Sequence, residues 1–338
     1  MAFLEVTDLA THYRTARGVV RAVDGVSLTL EAGKTLGIVG ESGSGKSQLS
    51  RSIMGLLPKR NVIRQGTVMF RGEDITAKSP KELRKMWGPG MAMIFQDPMT
   101  SLNPVLKIGR QITESLKLHF DMDKDFANQT AEELLRSVGI PEPKRRLNEY
   151  PHQLSGGMRQ RVVIAVALSC GPELLFADEP TTALDVTVQK QILNLLKRQQ
   201  NERQMSVILV THDLGVVAGR TDEIMVMYGG QAVERASTHQ LFANMRHPYT
   251  EALLKSIPKI SDPSHTRLES IEGRPPRLID PPPGCRFAPR CNYATDQCRK
   301  EAPPLMEDPS DPGHQYRCWF PVSISSRPHA VAASVGGF

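Results

Sequence analysis

Apolar and polar positions alternate over 3–9 and again over 19–30, the two-residue period of antiparallel strands with one buried face. Thr11-His12-Tyr13-Arg14 interrupts that alternation and reads as a break between the two strands. Further along, apolar stretches at Thr35–Val39, 91–95, 174–179 (the last ending in two acids) and 207–210 read as core strands, and 66–71 as one more strand. Apolar residues at helical spacing predict helices over 48–57, from 156 to about 169, and over 187–200. Between 105 and 146, Ile108, Ile112, Leu116 and then Ala131, Leu134, Leu135 and Val138 fall three and four residues apart, so a helical insertion is expected over about 97–157. Its first residues, 97–104, carry two prolines and read as turns.

Chemistry-bearing residues gather where these strands end. Gly40-Glu41-Ser42-Gly43-Ser44-Gly45-Lys46-Ser47 fits G-x-x-x-x-G-K-[ST] between a buried strand and a helix. Backbone N–H groups converging at a helix N-terminus suit a polyphosphate, and the glycines keep that space open. Lys46 would act as a point charge on the phosphates and the Ser47 hydroxyl would ligate Mg²⁺. Tyr13 is a candidate for stacking on an adenine ring, with an ordinary strand-end tyrosine as the alternative. Gln96, at the end of a core strand, is placed to reach Mg²⁺ or its water; it is otherwise a loop hydrogen-bonder. Ser155-Gly156-Gly157 starts an apolar helix and forms a second anion-ready N-terminus, Ser155 being a plausible cap. Asp178 and Glu179 end a buried strand, an expensive arrangement unless they serve a cation or a reaction. Asp178 would hold Mg²⁺ through water and Glu179 would polarise the attacking water; capping of the next turn is the structural alternative. His212, at the end of the last core strand, would donate to the γ-phosphate.

Composition narrows the class. The 338 residues are 40% hydrophobic and 23% charged, ordinary for a globular protein. The longest apolar run, 162–168, is far short of the roughly 18–20 residues that span a bilayer. The start, Met1-Ala2-Phe3-Leu4-Glu5, lacks the regions of a signal peptide, so a cytosolic chain is expected. The net charge of +6 is not concentrated in any long Lys/Arg run, and it reads as solvated surface with no nucleic-acid footprint.

Beyond Leu254 prolines accumulate, and four of the five cysteines stand at 285, 291, 298 and 318. In a cytosolic chain such a cluster argues for metal over disulfides. The spacing C-x5-C-x6-C-x19-C lacks zinc knuckles and is long enough to wrap a [4Fe-4S] cluster; zinc, and a loop-rich cap without metal, stay open beside it. Cys170 reads as a small core residue. The tail 323–338 reads as disordered.

With the phosphate loop, Gln96, Leu154-Ser155-Gly156-Gly157-Met158, Asp178-Glu179, Asp185 and His212 in that order, the chain resembles the ATP-binding cassette (ABC) family over roughly 1–250. The resemblance implies an α/β P-loop NTPase core with an antiparallel β subdomain, the helical insertion, and a small cysteine-containing extension over 251–322. It also implies two cassettes with ATP and Mg²⁺ sandwiched between the phosphate loop of one (Gly40, Ser42, Gly43, Ser44, Gly45, Lys46, Ser47) and the signature of the other (Ser155, Gly156, Gly157). Lys46, Glu179 and His212 would be the catalytic set, with Ser47, Gln96 and Asp178 on Mg²⁺. Only one set of motifs occurs, so the second cassette must come from another chain. The closer match is to ATPase subunits of dipeptide and oligopeptide importers, of the first-subunit type. It is carried by Ile94-Phe95-Gln96-Asp97-Pro98-Met99-Thr100-Ser101-Leu102-Asn103-Pro104, Tyr150-Pro151-His152-Gln153 and His247-Pro248-Tyr249-Thr250. That resemblance implies a heterodimer with a second ATPase subunit, two integral-membrane permeases, an extracytoplasmic substrate-binding protein, a place on the cytoplasmic face of the membrane, and a [4Fe-4S] cluster on Cys285, Cys291, Cys298 and Cys318. Importers of nickel or glutathione use very similar subunits. A soluble cassette protein of DNA repair or translation is the other alternative, but tandem cassettes, long coiled coils and basic arms are absent from this sequence.

Overall fold

The computed structural model describes residues 2–58, 60–182, 184–257 and 271–322. They divide into two compact units: one takes residues up to 30, 35–76 and those from 209 on, the other 31–34 with 77–208. The tail expected to be disordered, 323–338, lies outside the described residues.

In the first unit, Leu4–Thr15 and Gly18–Leu30 form an antiparallel hairpin, and Val62–Phe70 pairs along the other side of Leu4–Thr15. Leu4, Val6, Leu9, Val26 and Leu28 give this sheet its buried face. Thr11-His12-Tyr13-Arg14 is not a break: it belongs to the first strand and pairs on both sides. Register shifts between Val6 and Thr11 explain the misreading, because a bulge interrupts the apolar alternation while pairing continues. A second sheet in this unit places Thr35–Val39, all buried, parallel to Glu223–Tyr228. Gln231–Ser237 returns antiparallel, and the short strands Gln315–Tyr316 and Met306–Glu307 extend the sheet beyond it. The helix after the phosphate loop is Lys46–Ile53, four residues shorter at its end than expected, because Gly55 takes a left-handed conformation at φ 71°.

The second unit has a parallel pair, Met91–Ile94 beside Leu174–Asp178, every residue of both buried. The helix Gly156–Leu168 packs on Met91–Ile94, the helices Ile108–Phe120 and Lys124–Ser137 pack on Gly156–Leu168, and Val186–Arg203 belongs to the same unit. Phe95, expected as the last strand residue, is instead 40% exposed. The expected turn at 97–104 contains a one-turn helix, Pro98–Ser101. Asp97 caps it by accepting from the Met99 N–H, and proline fits the first helical position because that N–H has no helical partner anyway. Cys170 is buried just beyond the end of Gly156–Leu168.

Candidate functional site

The first unit holds Tyr13, the phosphate loop and His212; the second holds Gln96, the 155–157 turn, Asp178, Glu179 and Asp185. The loop leaves a fully buried strand and enters the helix Lys46–Ile53 through Gly45, whose φ is 104°. A Cβ on Gly45 would stand 2.3 Å from the Ala22 carbonyl oxygen, and one on Gly40 would stand 2.2 Å from that of Met227. Backbone cannot yield at that distance, so both positions require glycine. The buried Lys46 ammonium donates to the carbonyls of Gly40 (2.7 Å) and Glu41 (3.0 Å), which pins the loop into a ring. The Ser44 hydroxyl is buried without a hydrogen-bond partner, an orphan that an anion in the loop would satisfy. Tyr13 donates its hydroxyl proton to Gln48 Oε1 at 2.6 Å, which ties the ring to the helix that follows the loop. His212 is exposed at the end of the strand Ser206–Thr211.

In the second unit, Asp178 is 1% exposed and Glu179 8% exposed. The Glu179 backbone sits at φ 45°, a left-handed conformation that costs a non-glycine residue free energy and is concentrated at functional positions. Its carboxylate Oε2 accepts from Gln96 Nε2 at 3.0 Å and from Thr182 Oγ1 at 2.8 Å. Sequence reasoning assigned Gln96 to Mg²⁺ and missed this contact across 83 residues, as it missed Thr182; the polar run after Glu179 was the only signal. Gln96 thus spends a donor on Glu179 and keeps its carbonyl oxygen as an acceptor.

Ser155 does cap Gly156–Leu168, accepting from the Met158 N–H at 3.3 Å. Ser155 and Gly156 are exposed. Asp185 caps Val186–Arg203 by accepting from the Val188 N–H at 3.0 Å. A Cβ on Gly157 would come within 3.0 Å of Val188, so the signature turn and the first turn of the Asp185-capped helix pack together.

Cys285, Cys291, Cys298 and Cys318 line one cavity, with His247, Phe287 and Trp319 in its wall. All are free thiols. Burial, and then the repulsion of the other three sulfurs, pushes Cys318 up to about 12. Cys285 and Cys291 are also raised, first by burial. Thiols that resist ionising, as these three do, are donors that a multivalent cation beside them would draw toward the thiolate. Among the described residues no three Cys, His, Asp or Glu side chains form a group able to hold a metal ion.

Two family models match the chain: "ABC transporter" over residues 23–182, and "Oligopeptide/dipeptide transporter, C-terminal region" over 233–298. The dipeptide transport ATP-binding protein DppD of Escherichia coli is 48% identical over 97% of this chain and 99% of its own length. The oligopeptide transport ATP-binding protein OppD of Bacillus subtilis is 50% identical over 90% of this chain and 85% of its own. Among solved structures, a post-hydrolysis dimer of the ATP-binding cassette MJ0796 with ADP and phosphate bound is 28% identical, with a TM-score of 0.63, covering 70% of this chain and 98% of that one.

Proposed function

Since the chain belongs to the ABC transporter family, and within it to the ATP-binding subunits of dipeptide and oligopeptide importers, we propose that it hydrolyses ATP to drive uptake of dipeptides or oligopeptides across the cytoplasmic membrane. The observation that carries the chemistry is Glu179, a buried carboxylate at a strand end whose orientation is fixed by Gln96 and Thr182. A carboxylate so held can take a proton from water without first reorganising. Lys46 and the loop N–H groups bind the phosphates, Tyr13 packs against the base, and His212 donates to the γ-phosphate. Ser47, Gln96 and Asp178 are assigned to Mg²⁺, which when bound neutralises charge building on the phosphates.

The exposed Ser155 and Gly156 and the half-buried Gly157, with Asp185 behind them, serve the nucleotide of a second ATPase subunit, and that subunit returns the same service. The single set of motifs calls for a second chain, and likeness to the first-subunit type makes that chain a different ATPase subunit in this reading. No helix among the described residues is long and apolar enough to cross a membrane, so the membrane path belongs to two permease subunits, supplied by an extracytoplasmic binding protein. A groove of about 860 Å³ lined by Pro104, Val105, Lys107, Glu149, Tyr150 and His152 suits a permease helix, and Val105 is 76% exposed beside it. The chain then works as a peripheral protein on the cytoplasmic face.

We assign Cys285, Cys291, Cys298 and Cys318, which line one cavity, to a structural [4Fe-4S] cluster, which would supply the positive charge that four clustered thiolates need. Anaerobic purification is expected to yield iron and a broad visible absorbance that Cys298→Ala removes; colourless, iron-free protein refutes it.

The test of the catalytic assignment is Glu179→Gln in the assembled complex. ATP should stay bound with the ATPase pair closed, and turnover should fall about 100-fold or more. Undiminished steady-state hydrolysis refutes Glu179 as the base.

A further inference from the structure

Glu41, the first residue after Gly40 in the phosphate loop, has every polar group engaged. Its N–H donates to the Tyr249 hydroxyl at 2.8 Å, its carbonyl accepts from Lys46 at 3.0 Å, and its carboxylate accepts both arms of the Arg290 guanidinium at 2.6 and 3.0 Å. Arg290 lies 249 residues away, beside Cys291 in the extension, and its side chain is 4% exposed. It is fixed from behind: Nε donates to the Glu272 carbonyl at 2.9 Å and Nη2 to that of Ile271 at 3.0 Å, while the guanidinium lies 5.8 Å from the centre of the Tyr228 ring. Tyr249 is fully buried against Tyr228 and Phe287. A planar fork this constrained recognises a carboxylate in one orientation only.

The placement raises an electrostatic problem that Arg290 solves. A carboxylate on a loop built for a triphosphate repels its ligand unless a cation neutralises it at contact range. With the Glu41 N–H already taken by Tyr249, Glu41 serves the loop as an anchor and the N–H groups that follow remain for phosphate.

We propose that Arg290 is a positioning residue for ATP binding, acting through Glu41 by neutralising its carboxylate and holding the loop open in its binding shape. The proposal rests on the ATP-binding reading, for which ATP binding by the wild-type chain is the control. The experiment measures equilibrium binding of a fluorescent ATP analogue to the full chain, and KM and kcat for ATP in the assembled transporter. Arg290→Ala should raise the dissociation constant and KM about tenfold, with kcat nearly unchanged. Adding Glu41→Gln to Arg290→Ala should recover most of that loss, because the unpaired charge is then gone. Persistence of the full tenfold loss in the double variant overturns the proposal, as does a fall in kcat at constant KM. Should Arg290→Ala not fold, Arg290→Lys carries the test: it keeps the charge but not the fork, so an intermediate KM supports the proposal and a wild-type KM overturns it.

Discussion

Two of the helix N-termini among the described residues suit anions, and they are built in opposite ways. The terminus at Lys46 is locked: Gly40 and Gly45 press against backbone carbonyls, Lys46 closes the loop on itself, and Arg290 and Tyr249 hold Glu41 from outside. The terminus at Gly156 stands exposed with one serine cap, and a Cβ on Gly156 would meet nothing closer than Leu184 at 3.9 Å. The first therefore binds its ligand as a preformed receptor, having met the ordering cost during folding. The second is an exposed surface with little built around it, as the proposed sharing of a nucleotide between two chains would require.

Substituting the same residue type at each terminus tests that contrast most severely. Gly45→Ala should abolish ATP binding by the chain alone, because a Cβ there collides with the Ala22 carbonyl and the φ of 104° disfavours alanine. Gly156→Ala should leave ATP binding by the chain alone unchanged and lower turnover only in the assembled pair. Equal losses of single-chain binding in the two variants would erase the distinction.

Acid should reach the locked terminus through the extension that braces it. His247 accepts from the Tyr249 N–H at 3.0 Å, capping the helix Pro248–Lys255 whose Tyr249 holds Glu41. Burial drops His247 from an ordinary value near 6.5 to about 4, so the unfolded chain takes the proton first. Its contribution is present above about pH 6.5 and is lost as pH falls toward 4, a loss on the order of 3 kcal/mol. His314 has the opposite sign. Burial alone would lower it, but Glu234 and Asp311 outweigh burial and raise it, so its contribution is present below its ordinary value and is lost as pH rises through the raised one. Thermal melts of the full chain across pH 4–8 should show an acid limb that His247→Asn flattens, asparagine being able to cap the helix without titrating. An unchanged acid limb in that variant would place the acid sensitivity elsewhere.

What could be read in advance follows the range of the signal. The phosphate loop, the acids at 178 and 179 and the Ser155 cap announce themselves within a few residues of chain, through glycine, charge and apolar runs. The bulged strand around Thr11 did not, because a bulge breaks the period on which a strand is recognised. Gln96 on Glu179 and Arg290 on Glu41 were also hidden: contacts between residues 83 and 249 positions apart leave no local pattern. Those long-range contacts fix the orientation of the groups that the motifs name.

The strands Gln315–Tyr316 and Met306–Glu307 carry a further consequence. Gln231–Ser237 has Glu223–Tyr228 on one side and Gln315–Tyr316 on the other, so its Glu234 and Arg235 are paired on both flanks. Shortening the chain to the nucleotide-binding region would strip that cover and expose backbone donors and acceptors to any other strand in solution. The extension is thereby a guard against self-association as well as a brace, and a truncated cassette would be at risk of aggregating even where its phosphate loop survived.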